Sequence, residues 1–170
     1  MPLKRHTMEN TDRSSTQAPL RLALKVPPLA LVAFAATAMW FVPAIVTLPR
    51  FGPWHTSLCA AIVILGLAVC LAGVLAFRQA RTTVDPMRPD AATSLVVRGI
   101  YRYTRNPMYL GFVLVLLGWA LYLAKLSALL VLPCFAVYLT VFQIKPEEVA
   151  LRERFGSDFD TYTALVRRWL

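Results

Sequence analysis

The residues best equipped for chemistry lie in one run, Arg98-Gly-Ile-Tyr-Arg-Tyr-Thr-Arg-Asn-Pro-Met-Tyr-Leu-Gly111, which leads straight into an apolar stretch. Asn106 is a favoured N-cap residue and Pro107 fits a first helical position, so the spacing predicts a helix start here. The free N–H groups and positive dipole end of such a helix suit an anionic group. Arg105 adds a planar fork of donors beside it, and Tyr101 and Tyr109 add ring faces and hydroxyls. A second chemical locus is Lys145-Pro146-Glu147-Glu148, where a proline and two acids open another predicted helix.

The elements that must position these loci are membrane helices. Hydrophobic residues make up 58% of the 170 and charged residues only 16%, and the mean hydropathy is +0.57. Four apolar runs stand out, at about Pro28–Leu48, Ser57–Phe77, Pro107–Leu123 and Leu126–Ile144, none with an Asp, Glu, Lys or Arg in its interior. Each is near the ~20 residues that cross a hydrocarbon core, and in lipid such runs must be helical because every backbone group needs an internal partner. The expected fold is therefore all-α: a polytopic membrane protein of about four transmembrane helices, with a cytoplasmic loop and C-terminal helices forming the site. Residues 1–25 read as a disordered tail rather than a cleaved leader. Residues 26–77 read as a scaffold hairpin and residues 78–170 as the chemical half. Pro43 is expected to kink the first span, and Gly66 and Gly73 to allow close helix approach.

Sixteen of the eighteen Lys and Arg residues lie in the amino-terminal segment, the 78–105 connection or the carboxyl-terminal tail; only Arg50 and Lys125 lie in the other two loops. By the positive-inside rule both termini are cytoplasmic. The net charge of +9 then reflects that bias and contact with anionic lipid rather than nucleic-acid binding. Cys59, Cys70 and Cys134 all fall inside spans, which argues for small apolar residues and not for disulfides. His6 and His55 have no partner at metal-ligand spacing, so no metal is expected. The hairpin that starts at Asn106 returns at Ile144 to the same membrane face. Glu147 and Glu148 should thus sit near Arg105, Asn106 and Tyr109. The last helix aligns Phe159, Tyr162, Leu165, Val166 and Trp169 as an interfacial face or lid.

Gly99-Ile-Tyr101, then Arg105-Asn-Pro-Met-Tyr109-Leu-Gly111, then Glu147-Glu148, Leu151, Phe155-Gly156 and Tyr162 form a pattern that resembles the isoprenylcysteine carboxyl methyltransferase and phospholipid methyltransferase superfamily. The resemblance covers about Arg81 to the end. It implies S-adenosylmethionine bound at the cytoplasmic membrane surface and an acceptor that enters from the bilayer. By resemblance, Thr93, Ser94, Leu95, Val96, Gly99, Tyr101, Asn106, Pro107, Met108, Tyr109 and Glu147 contact this cofactor, while Arg105 and Glu148 are the catalytic candidates. The residue types suit the ligand: a helix start and Arg105 for its carboxylate, an acid for its cationic groups, and aromatic rings for adenine or the charged methyl. Methyl transfer is a direct displacement, so the enzyme's task is positioning. The substrate position is Gln143, where the prenylcysteine enzymes carry an Arg. Its absence argues against a free carboxylate acceptor and leaves an aminophospholipid headgroup or a small thiol. The implied partners are membrane lipid and a lipophilic or small methyl acceptor, in a bacterial inner membrane or one like the endoplasmic reticulum.

Each residue also has a plainer role. Arg102 and Arg105 suit charge anchors and the tyrosines an aromatic belt, while Glu147 and Glu148 complement a helix dipole. Two other classes compete with an enzyme: a small four-helix transporter, disfavoured because no span carries an ionisable residue, and a non-catalytic membrane scaffold.

Overall fold

The computed structural model describes residues 26–50, 52–80 and 94–170. The disorder expected for the first twenty-five residues, the bulk of the central loop and Thr93 lie outside them. Six α-helices follow in order: α1 Pro28–Phe41, α2 His55–Gln79, α3 Pro107–Leu123, α4 Leu126–Leu139, α5 Lys145–Phe155 and α6 Ser157–Leu165. Single 3-10 turns at Gly52–Trp54 and Gly99–Arg102 lead into α2 and towards α3, and a π turn at Thr140–Ile144 joins α4 to α5. No strand occurs among the described residues; one isolated bridge pairs Thr47 with Lys125. The all-α expectation holds.

The first span is shorter than expected. Pro43 stops α1 and does not kink it, because a residue before proline is driven out of the helical region, and Val42 is extended at ψ 131°. Fourteen residues at 1.5 Å each reach only ~21 Å. The extended chain beyond would expose unpaired carbonyls, a severe cost in lipid, but the α3–α4 turn supplies donors. Lys125 Nζ donates to the carbonyls of Trp40 (2.9 Å) and Val42 (3.2 Å), Ser127 Oγ to that of Pro43 (2.6 Å), and the Leu126 N–H to that of Val46 (3.0 Å). In return the Leu48 N–H donates to the carbonyl of Ala124 at 2.8 Å. Ala124 closes α3 in the left-handed region, at φ 52° and ψ 38°.

The predicted break at Ile144 is likewise absent. Helix runs from Leu126 to Phe155, and among the described residues this 30-residue rod and the 28-residue Gly52–Gln79 rod are the two long and apolar enough to cross a membrane. The α1 and α3 helices are shorter apolar helices. Pro146 explains the π turn: it has no N–H, and its ring would clash with the carbonyl four residues back. Widening the ladder by one residue, with the Lys145 N–H reaching the carbonyl of Thr140, lets the helix continue past it.

The helices pack through glycines. An added Cβ on Gly66 would meet the Gly111 carbonyl oxygen at 2.7 Å and the Val115 nitrogen at 2.8 Å; one on Gly118 would meet the Cys59 carbonyl oxygen at 2.8 Å; one on Gly73 would meet Met108 Cγ at 2.8 Å. On Gly111 it would collide with Cys70 Sγ. Both helices repeat their glycines every seven residues, about two turns, so one face of each is bare backbone. The expectation for Gly66 and Gly73 is met: Gly66 faces Gly111, Gly73 faces Pro107 and Met108, and Gly118 of α3 faces Cys59 and Val63 of α2. Met39, Leu116, Ala120, Ala128, Leu139 and Ile144 form the fully buried centre of the main core. A smaller cluster of Phe159, Tyr162 and Val166, packed with Leu95, Leu151 and Phe155, binds the C-terminal helices to the segment before α3.

Candidate functional site

The start of α3, the first turn of α5 and the last residues of the chain meet at one end of the bundle. Pro107 is the first residue of α3, as its fixed φ favours. Asn106 does not cap it through its side chain, contrary to expectation. Its Nδ2 instead donates to the carbonyl of Arg168 at 2.9 Å, while its backbone N–H donates to Thr104 Oγ1 at 3.2 Å. Thr104 Oγ1 also reaches the Arg168 carbonyl, at 3.4 Å, and the Arg105 N–H donates to the carbonyl of Arg167 at 3.1 Å. Helix α6 ends at Leu165, so Val166 onward forms an extended strap across the α3 start, and Trp169 packs against the main core. Leu165 points to solvent, so the five-residue face predicted for the last helix is split.

The two acids divide. Glu148 is gripped by both cations: Arg105 Nη1 lies 3.1 Å from Oε1, and Arg168 donates from Nε to Oε1 at 3.0 Å and from Nη2 to Oε2 at 2.6 Å. That is a bidentate Arg–carboxylate contact with a second arginine behind it, a strong and directional arrangement. Glu147 accepts a hydrogen bond from the Tyr109 hydroxyl at 3.3 Å. Burial pushes its carboxyl up to about 7; the Tyr109 hydrogen bond opposes the rise and the charge of Glu148 adds to it. Tyr101, buried nearby, has its hydroxyl raised above the usual tyrosine range by burial and then by the charge of Glu147. Its ring stands edge-on to Phe77 at 5.4 Å between centroids, and its carbonyl accepts from the Tyr162 hydroxyl at 2.8 Å.

The remaining sequence-selected residues fall into two groups. Val96 is buried, Leu95 packs in the small C-terminal cluster, and Ser94 Oγ donates to the Ala80 carbonyl at 3.2 Å. Gly99 sits at φ 61°, a conformation that favours glycine. Pro107 and Met108 face Gly73 of α2, and the Met108 carbonyl accepts from Cys70 Sγ, so both serve packing. Gln143, 1% exposed, projects from the π turn and donates from Nε2 to the Val26 carbonyl at 3.0 Å. Sequence reasoning singled out neither Thr104 nor Arg168 for the site. A Thr two residues before Asn-Pro was a readable signal for the first; the second depends on the strap.

Two buried polar atoms have no hydrogen-bond partner among the described residues: the Arg105 Nε donor and the Gln143 Oε1 acceptor. Orphaned buried groups are costly, and each calls for a partner, whether water or ligand. A donor on a guanidinium suits a carboxylate, while an amide oxygen and a carboxyl are each of a type that suits an ammonium or other cation. A zwitterionic amino-acid ligand therefore fits the groups at this end.

The comparisons with known proteins agree in kind. An uncharacterized protein of Haemophilus influenzae is 41% identical over 63 residues, which cover all of that protein and 37% of this chain. No solved structure matches the chain. The sequence profile of phospholipid methyltransferases matches residues 54–158, from the head of α2 into α6, taking in Arg105, Glu147 and Glu148 but not Arg168. The chain belongs to the phospholipid methyltransferase family.

Proposed function

We propose that the chain is an S-adenosylmethionine-dependent methyltransferase whose acceptor is the amine of an aminophospholipid. Family membership sets aside a transporter. The observations that support the reading are the Tyr109–Glu147 hydrogen bond and the orphaned Arg105 Nε and Gln143 Oε1. Arg105 would hold the cofactor's carboxylate and Glu147 its ammonium or sulfonium field. When bound, the cofactor supplies an electrophilic methyl on sulfur. An acceptor nitrogen would take that methyl in exchange for the sulfur–carbon bond and would lose its proton to water at the membrane surface. With no ligand the Glu147 carboxyl sits at about 7; a bound cation would lower it, so its charged form is the one that would meet the cofactor. Glu148 acts as a positioning residue: held between Arg105 and Arg168, it keeps the Arg105 fork in place. A prenylcysteine carboxylate is a poorer acceptor, because Gln143 supplies no cation and its amide donor is taken by Val26.

We read this end as the cytoplasmic face from the cation asymmetry, with four crossings and both termini on that side. The deciding experiment incubates purified protein with methyl-labelled cofactor and phosphatidylethanolamine, then separates the lipids. Label should appear in mono- and dimethylated headgroups. Label in protein or volatile thioether fractions would replace the lipid acceptor, and absence of both turnover and cofactor binding would overturn the reading in favour of a scaffold.

A further inference from the structure

At the opposite end of the bundle, ~20 Å along α3 from Tyr109 to Tyr122, lies a cavity of about 520 Å³ lined in part by Arg50, His55, Thr56, Lys125, Trp40 and Tyr122. Its volume is in the range of small-molecule sites. We infer that this cavity is a binding site for a phosphate-bearing anion, such as the phosphodiester of an anionic phospholipid or free phosphate, separate from the methyl-transfer end.

Four observations converge on it. Arg50 and Lys125 are the two cations that the sequence places away from the three basic segments, and the fold brings both to one cavity. No carboxylate offsets them. The sequence has no Asp or Glu between Asp12 and Asp85 or between Asp90 and Glu147, and every described carboxylate belongs to the Glu147–Asp160 segment. Lys125 spends two of its three donors on the carbonyls of Trp40 and Val42, which fixes its ammonium and leaves a third N–H for a ligand. Gly52, His55 and Thr56 at the head of α2 also line the cavity, adding the positive end of a long helix. An arginine fork, a lysine and such a helix end match a tetrahedral oxyanion. The walls then favour a lipid. Trp40 stacks on Trp119 (5.9 Å) and Trp119 on Tyr122 (5.6 Å), and this aromatic ladder continues outward to exposed Trp40 and Tyr122 surface beside apolar helix faces. A headgroup phosphate seated here would leave acyl chains running down that surface.

The test uses the full chain in uncharged detergent, with binding read from tryptophan fluorescence and from retained lipid by native mass spectrometry. Short-chain phosphatidylglycerol and inorganic phosphate are titrated separately and in competition. Wild type should bind the lipid saturably. Arg50→Gln should weaken binding about tenfold or more, as expected for one lost charge-assisted hydrogen bond. Arg50→Lys should recover part of it. Arg50 is exposed, so the variant is expected to fold, which its helical circular dichroism checks. Displacement of lipid by phosphate identifies the anion as sufficient; binding of lipid with no displacement identifies headgroup and chains together, and both outcomes support the site. Equal affinity in wild type and Arg50→Gln overturns it. So does an equal loss in Arg154→Gln, which removes a cation from α5 and would reveal diffuse charge attraction.

Discussion

Glu147→Gln separates stability from chemistry at one atom. The Glu147 carboxyl is raised from the usual 4.5 to about 7 in the folded protein, chiefly by burial. A raised acid binds its proton more tightly when folded than when unfolded, so stability is undiminished below 4.5, falls as pH rises towards 7, and stays lowered above it. At about 1.4 kcal/mol per pKa unit the ceiling on that penalty is ~3 kcal/mol. Glu147 keeps part of its surface in solvent, so screening brings the expected figure to about 1–2 kcal/mol. Glutamine keeps an oxygen to accept from the Tyr109 hydroxyl and removes the ionisation. The variant should therefore be about 1–2 kcal/mol more stable than wild type at pH 8, and nearly equal at pH 4.5. Unfolding in detergent at both pH values measures this, and labelled-methyl incorporation in parallel should drop by at least about tenfold for the loss of a charged contact. The reasoning fails if wild type and variant show the same change in stability between pH 4.5 and pH 8, for then Glu147 does not carry the buried ionisation.

Three further outcomes follow from the packing. Gly66→Ala should destabilise by about 1–3 kcal/mol, because the new methyl meets the Gly111 and Val115 backbone; thermal unfolding in detergent reads it. Arg168→Ala leaves Glu148 with only Arg105 and loosens the strap over Asn106 and Thr104, at about 1–3 kcal/mol; faster amide exchange at Arg105 and Asn106 is the specific signature. Ala124→Gly should stabilise by up to about 1 kcal/mol by relieving a left-handed alanine, seen as a higher unfolding midpoint.

Much of this fold could be read from residue order. Pro28 and Pro107 start helices where their fixed φ makes them useful, and the apolar runs between charges outline the rods. The acids following Pro146 were expected near Tyr109, and Glu147 does meet it. The misreadings share one physical origin: local signals were interpreted as if nothing else touched them. Asn106 has the propensity of a cap, but the Arg168 carbonyl, 62 residues later, claims its amide. Pro43 is tolerated in membrane helices in general; here it ends α1 because Lys125 and Ser127 stand ready to satisfy the freed carbonyls. Pro146 looks like a helix start, yet the preceding ladder can widen by one residue and run on. Arg168 carries no local sign of its role, since nothing nearby says the chain becomes extended at Val166. Its pairing with Glu148 is a contact between chain ends that only tertiary packing creates.

The glycine seam between α2 and α3 also constrains traffic. With backbone against backbone at Gly66–Gly111 and Gly118–Cys59, the two helices make one plank, too tightly sealed for an acyl chain to slip between them. On the proposed function, a lipid acceptor bound for Glu147 would come around the flank formed by α1 and the α4–α5 rod. There α1 is short and the π turn already departs from regular winding. The sealed side acts as a fixed wall, leaving the looser side as the doorway.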